Sequence, residues 1–290
     1  RSIVRDLYRP QRGARVLARG LGGLGLLAFA APLLGGAIVH VLDWHATLLV
    51  PALFGGGSLA FIALRFEETI PNRNPHATRL VPLLRNWSTI VAHPTFRAYA
   101  ALLCLTYAGL FTLLAASPFV YIDVLGVSRL ACGAILAVNS LFYVIGTVLC
   151  RRLLARYGLR PTVAIGGGLG WRGGGLAALL SRAGAHEVSV WSIIVPSWLF
   201  MLGHGMHQPC AQAGAIGPFP DTAGTAASVS GFLMMLVAFG VGLLLGRYLN
   251  GTVFPMTLGL GVFGIGVAGV AWTSVQRHGE PAQRALVQPL

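Results

Sequence analysis

Long apolar stretches dominate the chain, and short polar segments separate them. Eight such stretches, named spans A to H in chain order, cover residues 20–42, 46–64, 98–120, 130–150, 161–181, 188–208, 222–246 and 251–275. Each has about the 20 residues with which an α-helix crosses a hydrocarbon core of about 30 Å. Their apolar residues lack the alternation of a strand, and lipid offers backbone polar groups no partner outside a helix. The pattern predicts an all-α polytopic membrane protein with eight transmembrane helices.

The composition and the placement of charge agree with a membrane location. Hydrophobic residues make up 55% of the 290 residues and charged residues 10%, whereas a soluble domain carries about 25% charged residues. The arginines gather before span A, between spans B and C, and between spans D and E. This alternation follows the positive-inside rule, so we expect both termini in the cytoplasm. It argues against a nucleic-acid partner, which the net charge of +13 would otherwise suggest.

One long polar connection divides the chain unequally. Residues 65–97 contain several prolines and one short amphipathic segment. The apolar face of that segment consists of Leu80, Leu83, Leu84 and Trp87. This pattern predicts a cytoplasmic linker with a short helix on the membrane surface. Two spans precede the linker and six follow it, so the expected parts are residues 1–64, 65–97, a six-helix half at 98–276 and a cytoplasmic tail at 277–290.

Six short segments, taken in order, carry a resemblance to a known family. They are residues 3–8, 43–46, 67–71, 117–123, 137–139 and 220–226. Together they resemble the Bcr/CflA drug-resistance branch of the major facilitator superfamily, whose members have twelve spans in two six-helix halves. By this resemblance spans A to H correspond to helices five to twelve, and the first four helices are absent. The implied fold is a partial major facilitator fold, in which residues 1–64 form the end of the N-terminal half.

The resemblance also implies a function. It implies proton-driven efflux of drug-like small molecules across the bacterial inner membrane by alternating access, and hence antibiotic resistance. The expected protein is a monomer that uses the proton gradient, needs no cofactor and catalyses no covalent reaction. Two other interpretations stay open: a major facilitator protein that imports or exchanges a metabolite, and a truncated product that is inactive alone.

Two segments resemble the superfamily's packing and gating motifs. Span A contains a version of the Gly-Pro-x-x-Gly-Gly signature of drug antiporters, with Ala31 in place of the first glycine. The loop between spans D and E is similar to the cytoplasmic charge-relay loop, with Ala155 where an aspartate is usual. The resemblance assigns six residues to close packing and gating, namely Pro32, Gly35, Gly36, Arg152, Arg156 and Gly158.

Helices seven, eight, ten and eleven of such transporters face the central cavity, which suggests a set of substrate-binding residues. These residues are Tyr107, Phe111, Asn139, Tyr143, His204, His207, Gln208 and Met234. Aromatic and thioether groups offer contact area to bulky, varied substrates without strict hydrogen-bond geometry. Aromatic side chains that face lipid have the same sequence pattern, so that interpretation also stays open.

A short polar cluster in span F admits three interpretations. His204, His207 and Cys210 follow one another at intervals of three residues. That spacing could aim two imidazoles at one metal ion, as in a metal-dependent intramembrane enzyme. The imidazoles could instead line the transport path, where they would titrate near neutral pH, or make packing and cap hydrogen bonds. We predict no metal site.

Charged groups inside the spans are rare. No Asp or Glu lies within a span, so the carboxylate that couples proton movement is expected in the absent helices, with Asp123 at the outer end of span C as a local candidate. Arg172 lies within span E, where seven of the ten residues at 166–175 are glycine. It either pairs with an anion in the central cavity or reaches an interface. The glycine run would also permit tight helix packing with no ligand.

Overall fold

Helices form every regular element in the part of the chain that the structure describes. The structure is a computed structural model, and it describes residues 30–31, 34–38, 41, 44–65, 80–183, 189–220 and 222–279. The helices are α1 (Trp44–Arg65), α2 (Leu80–Ala92), α3 (Pro94–Pro118), α4 (Arg129–Tyr157), α5 (Leu159–Ala183), α6 (Trp191–Ile216), α7 (Ala223–Tyr248), α8 (Phe254–Trp272) and α9 (Ser274–His278). A π-helical turn, Phe119–Val124, follows α3 directly. Residues 30–31, 34–38 and 41 are helical as well.

Five helical stretches are long and apolar enough to cross a membrane. They are His45–Arg65, Pro94–Val124, Arg129–Tyr157, Ala223–Tyr248 and Phe254–His278. Helices α5 and α6, with 25 and 26 residues, are as long but less apolar because of their glycines and polar side chains. The prediction of an all-α polytopic membrane protein is confirmed. Most of span A lies outside the described residues, and the full count of eight crossings stays a prediction.

Helix α5 is continuous through the glycine run of span E. It extends from Leu159 to Ala183 with Arg172 near its middle. A positive φ of 79° at Gly158 turns the chain between α4 and α5, a conformation that glycine adopts without steric cost. Span E is therefore a regular helix.

The chain forms two compact units. The first contains α1 and residues 128–138. Here α1 exposes its large apolar side chains along its length, with Phe54 77% and Leu64 82% exposed. A Cβ at Gly36 would lie 3.5 Å from the Cα of Gly133, so the helical residues 34–38 approach the beginning of α4 closely.

The second unit contains the described residues of 80–127 and from Asn139 onward. In it, α5 packs against α6 and α8, and α3 packs against α6, α7 and α8. Large side chains fill the space between these helices, among them Phe96, Tyr99, Leu102 and Met206. The hydroxyl of Tyr99 donates a hydrogen bond to the carbonyl oxygen of Gly279 at 2.8 Å, which holds the end of α9 against α3.

Glycines let α5 approach both neighbours at backbone distance. A Cβ at Gly173 would lie 2.5 Å from the backbone nitrogen of Phe200 on α6, and one at Gly174 would clash with the carbonyl oxygen of Leu260 on α8. Small residues permit this kind of contact between helices in lipid. The glycine run is therefore the packing surface of α5.

A short helix lies where the linker was predicted to contain one. Helix α2 begins at Leu80 and ends at Ala92, and it packs against α3 and α7. Of its predicted apolar face, the structure describes the Trp87 side chain, whose ring centroid lies 5.9 Å from that of Phe232 on α7. Ile90 is also buried. The location of α2 on the membrane surface and the predicted division of the chain into four parts stay predictions.

Candidate functional site

The buried face of α6 carries three polar side chains that meet three different helices. Ser197, His204 and His207 are 0%, 2% and 1% exposed. They are seven and three residues apart, which places them on one side of a helix. A buried polar group is costly unless it has a hydrogen-bond partner, so the partners of these side chains define the site.

His204 faces α3 and α4. Its Nδ1 lies 2.9 Å from Oγ1 of the buried Thr106 on α3, within hydrogen-bond distance. The ring of Tyr143 on α4 lies beside it, with the two ring centroids 5.5 Å apart. The imidazole, the threonine hydroxyl and the tyrosine ring thus meet where α3, α4 and α6 come together.

His207 faces α5. Its Nε2 donates a hydrogen bond to the carbonyl oxygen of Val163 at 3.1 Å, since a carbonyl only accepts. In the neutral ring Nδ1 is then an acceptor, and it is buried with no hydrogen-bond partner among the described residues. A Cβ at Gly166 would lie 2.7 Å from Nε2. The missing side chain at Gly166 is therefore what allows the imidazole to reach α5.

A second polar contact joins α6 to α4. The hydroxyl of Ser197 lies 3.0 Å from Oδ1 of Asn139 and 2.7 Å from the carbonyl oxygen of Ile194, and its single hydrogen is shared between the two acceptors. Nδ2 of the buried Asn139 has no partner in the part of the chain that the structure describes. Two buried nitrogens, Nδ1 of His207 on α6 and Nδ2 of Asn139 on α4, therefore have hydrogen-bonding capacity that no described residue uses.

The remaining predicted substrate-binding residues lie at half-buried positions. Phe111 on α3 packs beside α7, where a Cβ at Gly242 would lie 3.4 Å from its ring. Met234 on α7 packs against the apolar core. Gln208 on α6 has a buried Oε1 that no described residue contacts by a hydrogen bond. Tyr107 on α3 is half-buried. The structure thus distributes the predicted set over α3, α4, α6 and α7.

The predicted charged positions stay apart from this buried cluster. Arg172 on α5 and Asp123 in the π-helical turn are exposed, as are Arg152 and Arg156 at the end of α4. The guanidinium of Arg156 lies 5.2 Å from the ring centroid of its neighbour Tyr157. Their roles in gating or ion pairing stay predictions.

The predicted glycine and proline motif of span A is described in part. Pro32 lies outside the described residues. No described atom lies within 4 Å of a Cβ built at Gly35, whereas Gly36 makes the close approach to Gly133 given above. The positive φ of Gly158 fits the tight turn that the loop motif requires.

The three residues considered as metal ligands face different neighbours. His204 meets Thr106, His207 meets the backbone of α5, and Cys210 meets Cys150 on α4. Within the described ranges, no three His, Cys, Asp or Glu side chains come together in a way that could hold a metal ion. Their regular spacing along α6 therefore does not make a chelating group.

Sequence reasoning did not single out several residues of the site. Ser197 could have been found, because it precedes His204 by seven residues and shares its face of the helix. Thr106 gives no such signal, since a threonine in a span commonly bonds the carbonyl of its own preceding turn. Gly166 was noted only as part of a glycine run. The run does not show which of its glycines leaves space for a neighbouring imidazole ring.

Comparison with known proteins places this architecture in a family. A family profile described as Major Facilitator Superfamily matches residues 1–242. The chain belongs to the major facilitator superfamily. The all-helical fold agrees with a partial major facilitator fold, as the resemblance implied, and the family is one of transporters rather than enzymes.

Similar proteins carry drug-resistance names. The chain is 25% identical over 263 residues to a bicyclomycin resistance protein homolog of Haemophilus influenzae, and this match covers 90% of this chain and 65% of that protein. It is 30% identical over 239 residues to multidrug resistance protein D of Escherichia coli, which covers 80% of this chain and 57% of that protein. It is 31% identical over 97 residues to multidrug resistance protein MdtM of Salmonella typhimurium, and this match covers 33% of this chain and 23% of that protein. These relatives confirm the resemblance to the drug-resistance branch. The chain spans less than two thirds of the length of the first two.

Proposed function

We propose that this protein takes part in the efflux of drug-like small molecules across the bacterial inner membrane. The observation that supports the proposal most is the similarity, over 90% of the chain, to a protein named as a bicyclomycin resistance protein homolog. The bicyclomycin and multidrug resistance names belong to the relatives, and the same substrate class is our proposal for this chain. We also propose proton coupling, alternating access and cytoplasmic termini.

The site suggests how such a molecule would be held. Half-buried aromatic residues, Tyr107, Phe111 and Tyr143, offer apolar area on α3 and α4, and aromatic faces accept substrates of varied shape. Asn139 Nδ2 and His207 Nδ1 provide hydrogen-bonding capacity that no described residue uses. A substrate with one apolar body and one or two polar groups fits this combination of surfaces.

Drug accumulation in living cells tests the proposal. The whole open reading frame that encodes the chain is expressed in a bacterial strain whose own drug exporters are deleted, and the uptake of a fluorescent cationic dye is followed. Cells that contain the protein should accumulate less dye than cells with empty vector. An uncoupler should abolish the difference, because it removes the proton gradient.

Two outcomes would contradict the proposal. The first is equal dye accumulation in the two strains, with the protein shown to be in the membrane. If a panel of unrelated drugs gave the same result, the drug-efflux function would be excluded. Energy-dependent inward accumulation of a metabolite with no drug efflux would favour an importer or exchanger instead.

A further inference from the structure

Two cysteines from different helices meet in the core of the second unit. Cys150 on α4 and Cys210 on α6 are 60 residues apart in sequence, yet their Sγ atoms lie 3.4 Å apart. Both are free thiols, with exposed fractions of 0% and 2%. Cys150 Sγ also lies 3.5 Å from the carbonyl oxygen of Met206 and donates to it. The two thiols therefore form a dithiol across the contact between α4 and α6.

A glycine contact fixes the distance between the two helices close to the thiols. Gly146 lies one turn before Cys150, and a Cβ there would meet Cα of Gly205 at 3.1 Å. A Cβ at Gly205 would in turn clash with the carbonyl oxygen of Tyr143. Because neither glycine has a side chain, the two backbones touch, and the dithiol is held by the packing of the helices rather than by its own bond.

The sulfur–sulfur distance selects among the species that two thiols can bind. A pyramidal trivalent centre with bonds of about 2.3 Å, the length of a zinc–thiolate bond, and angles of about 95° spans about 3.4 Å between its sulfurs. A linear two-coordinate metal with the same bond length would need about 4.6 Å. The observed 3.4 Å thus matches the sulfur–sulfur span of the pyramidal centre more closely than that of the linear one.

The surroundings favour an apolar ligand that approaches from the cytoplasmic side. Cys150 and Cys210 belong to the apolar core, together with Val163 and Met206. The residues that follow Cys150, Arg151 and Arg152, are exposed, and arginines at the end of a span mark the cytoplasmic membrane boundary. A small lipophilic molecule at that boundary is about one helical turn from the dithiol.

We propose that Cys150 and Cys210 form a binding site for monosubstituted trivalent arsenicals of the type R–As(OH)₂. In the reaction both arsenic–oxygen bonds break and two arsenic–sulfur bonds form. Each thiol proton leaves with one hydroxyl group as water, so that two water molecules are released and the oxidation state of arsenic does not change. The product links α4 to α6. This site is independent of the proposed efflux function.

Mass spectrometry of the purified chain tests the proposal. The reduced protein in detergent is freed of reductant, treated with an equimolar amount of phenylarsine oxide, then unfolded and alkylated with N-ethylmaleimide. We expect one arsenical for each chain and the loss of two alkylatable thiols, mapped by peptide mass to Cys150 and Cys210. A small dithiol should release the arsenical, while the same concentration of a monothiol should not.

The chain offers matched controls in its two other cysteines. Cys132 lies on α4, as Cys150 does, and Cys104 lies on α3, which packs against α6. Cys150→Ser and Cys210→Ser should each weaken binding about 100-fold, since the second bond is then no longer intramolecular. Cys104→Ser and Cys132→Ser should leave it unchanged. Three results would overturn the proposal. The first is that Cys150→Ser still binds the arsenical, and the second is that the protected thiols map to Cys104 or Cys132. The third is that two thiols are lost without added arsenic. If a serine variant does not fold, the peptide map of the unaltered chain decides.

Discussion

Helices α5 and α7 have nearly the same length and are both rich in small residues, but they use their glycines in opposite ways. Helix α5 has 25 residues and α7 has 26. On α5, Gly173 and Gly174 lie in backbone contact with α6 and α8. On α7, no described atom comes within 4 Å of a Cβ built at Gly224, Gly231 or Gly240. The glycines of α5 that contact other backbones thus hold it against two helices, whereas of the α7 glycines Gly242 alone lies near another described side chain, the ring of Phe111.

The difference shows that apolar content and packing are separate properties in lipid. Helix α5 is less apolar than α7, yet α5 makes the tighter contacts. Lipid tails solvate apolar side chains as well as a neighbouring helix does, so helices associate through close van der Waals contact and hydrogen bonds. Four predictions can break or sharpen this comparison.

Replacement of Gly174 should have the largest effect. In Gly174→Ala the new methyl group would clash with the backbone carbonyl of Leu260, which cannot rotate away as a side chain could. Helices α5 and α8 must then separate, and we expect a loss of about 3 kcal/mol of unfolding free energy, at the upper end of the cost of overpacking. Denaturant titration of the purified protein in detergent measures it.

Gly175→Ala is the matched control for Gly174→Ala. It changes the next residue of the same helix in the same way, but no described atom lies within 4 Å of its Cβ. Equal stability losses in the two variants would mean that the contact with α8 does not hold α5 in place.

Replacement of Gly166 should cost less, because a side chain rather than a backbone blocks the new methyl group. In Gly166→Ala the imidazole of His207 must move from its position 2.7 Å away and gives up its bond to Val163. We expect a loss of about 2 kcal/mol from overpacking and from the broken hydrogen bond. The same titration measures it, with NMR of the labelled imidazole to report the changed hydrogen bond.

Gly168→Ala serves as its control, since the nearest described atom to a Cβ there is a ring carbon of Trp272 at 3.8 Å, an ordinary contact. An unchanged imidazole signal in Gly166→Ala would show that His207 does not depend on the space at Gly166.

The sequence predicted the fold class well, because it depends on patterns that lipid imposes. The length and apolarity of span B and spans C, D, G and H were enough to place helices α1, α3, α4, α7 and α8. The apolar signal of span E is weaker, since glycines and Arg172 interrupt it there. The sequence could not predict which glycine contacts which helix. Those contacts depend on how each helix is rotated about its axis, and the apolar pattern of a span does not determine that rotation.

The candidate site was predicted in part. Asn139, Tyr143, His204 and His207 were chosen as polar or aromatic residues within spans, and the structure brings Tyr143 and His204 together. Joint metal binding by His204, His207 and Cys210 was one of three interpretations of their spacing on one helix, and in the structure their partners lie on three other helices. The proximity of Cys150 and Cys210 could not be predicted, because nothing in one sequence shows that residues 60 positions apart are neighbours.

Removal of the Thr106 hydroxyl should have a smaller effect than either glycine change. Thr106→Val keeps the shape of the side chain but removes the bond to Nδ1 of His204. Hydrogen bonds between membrane helices contribute about 0.6 kcal/mol on average, and the buried imidazole loses a partner as well, so we expect a loss of about 1 kcal/mol. Denaturant titration measures the change.

Thr112→Val is the control for Thr106→Val. Thr112 lies on the same helix and is also buried, and among the described residues its hydroxyl donates to the carbonyl oxygen of Ala108 in its own helix. A double-mutant cycle with His204→Ala should give a coupling energy for Thr106 and none for Thr112. Equal coupling for the two threonines would contradict a specific contact between α3 and α6.

Replacement of Gly240 on α7 should have the smallest effect, and of the opposite sign. No described atom lies within 4 Å of a Cβ at this position, so Gly240→Ala meets no obstacle and stiffens the helix, which should raise the unfolding free energy by about 0.5 kcal/mol. Denaturant titration measures the gain, and Gly175→Ala, at an equally open position on α5, is measured for comparison. A loss of stability confined to Gly240→Ala would mean that another helix packs on this face of α7 in the native protein. The glycines of the two helices would then serve the same purpose, and the contrast between α5 and α7 would disappear.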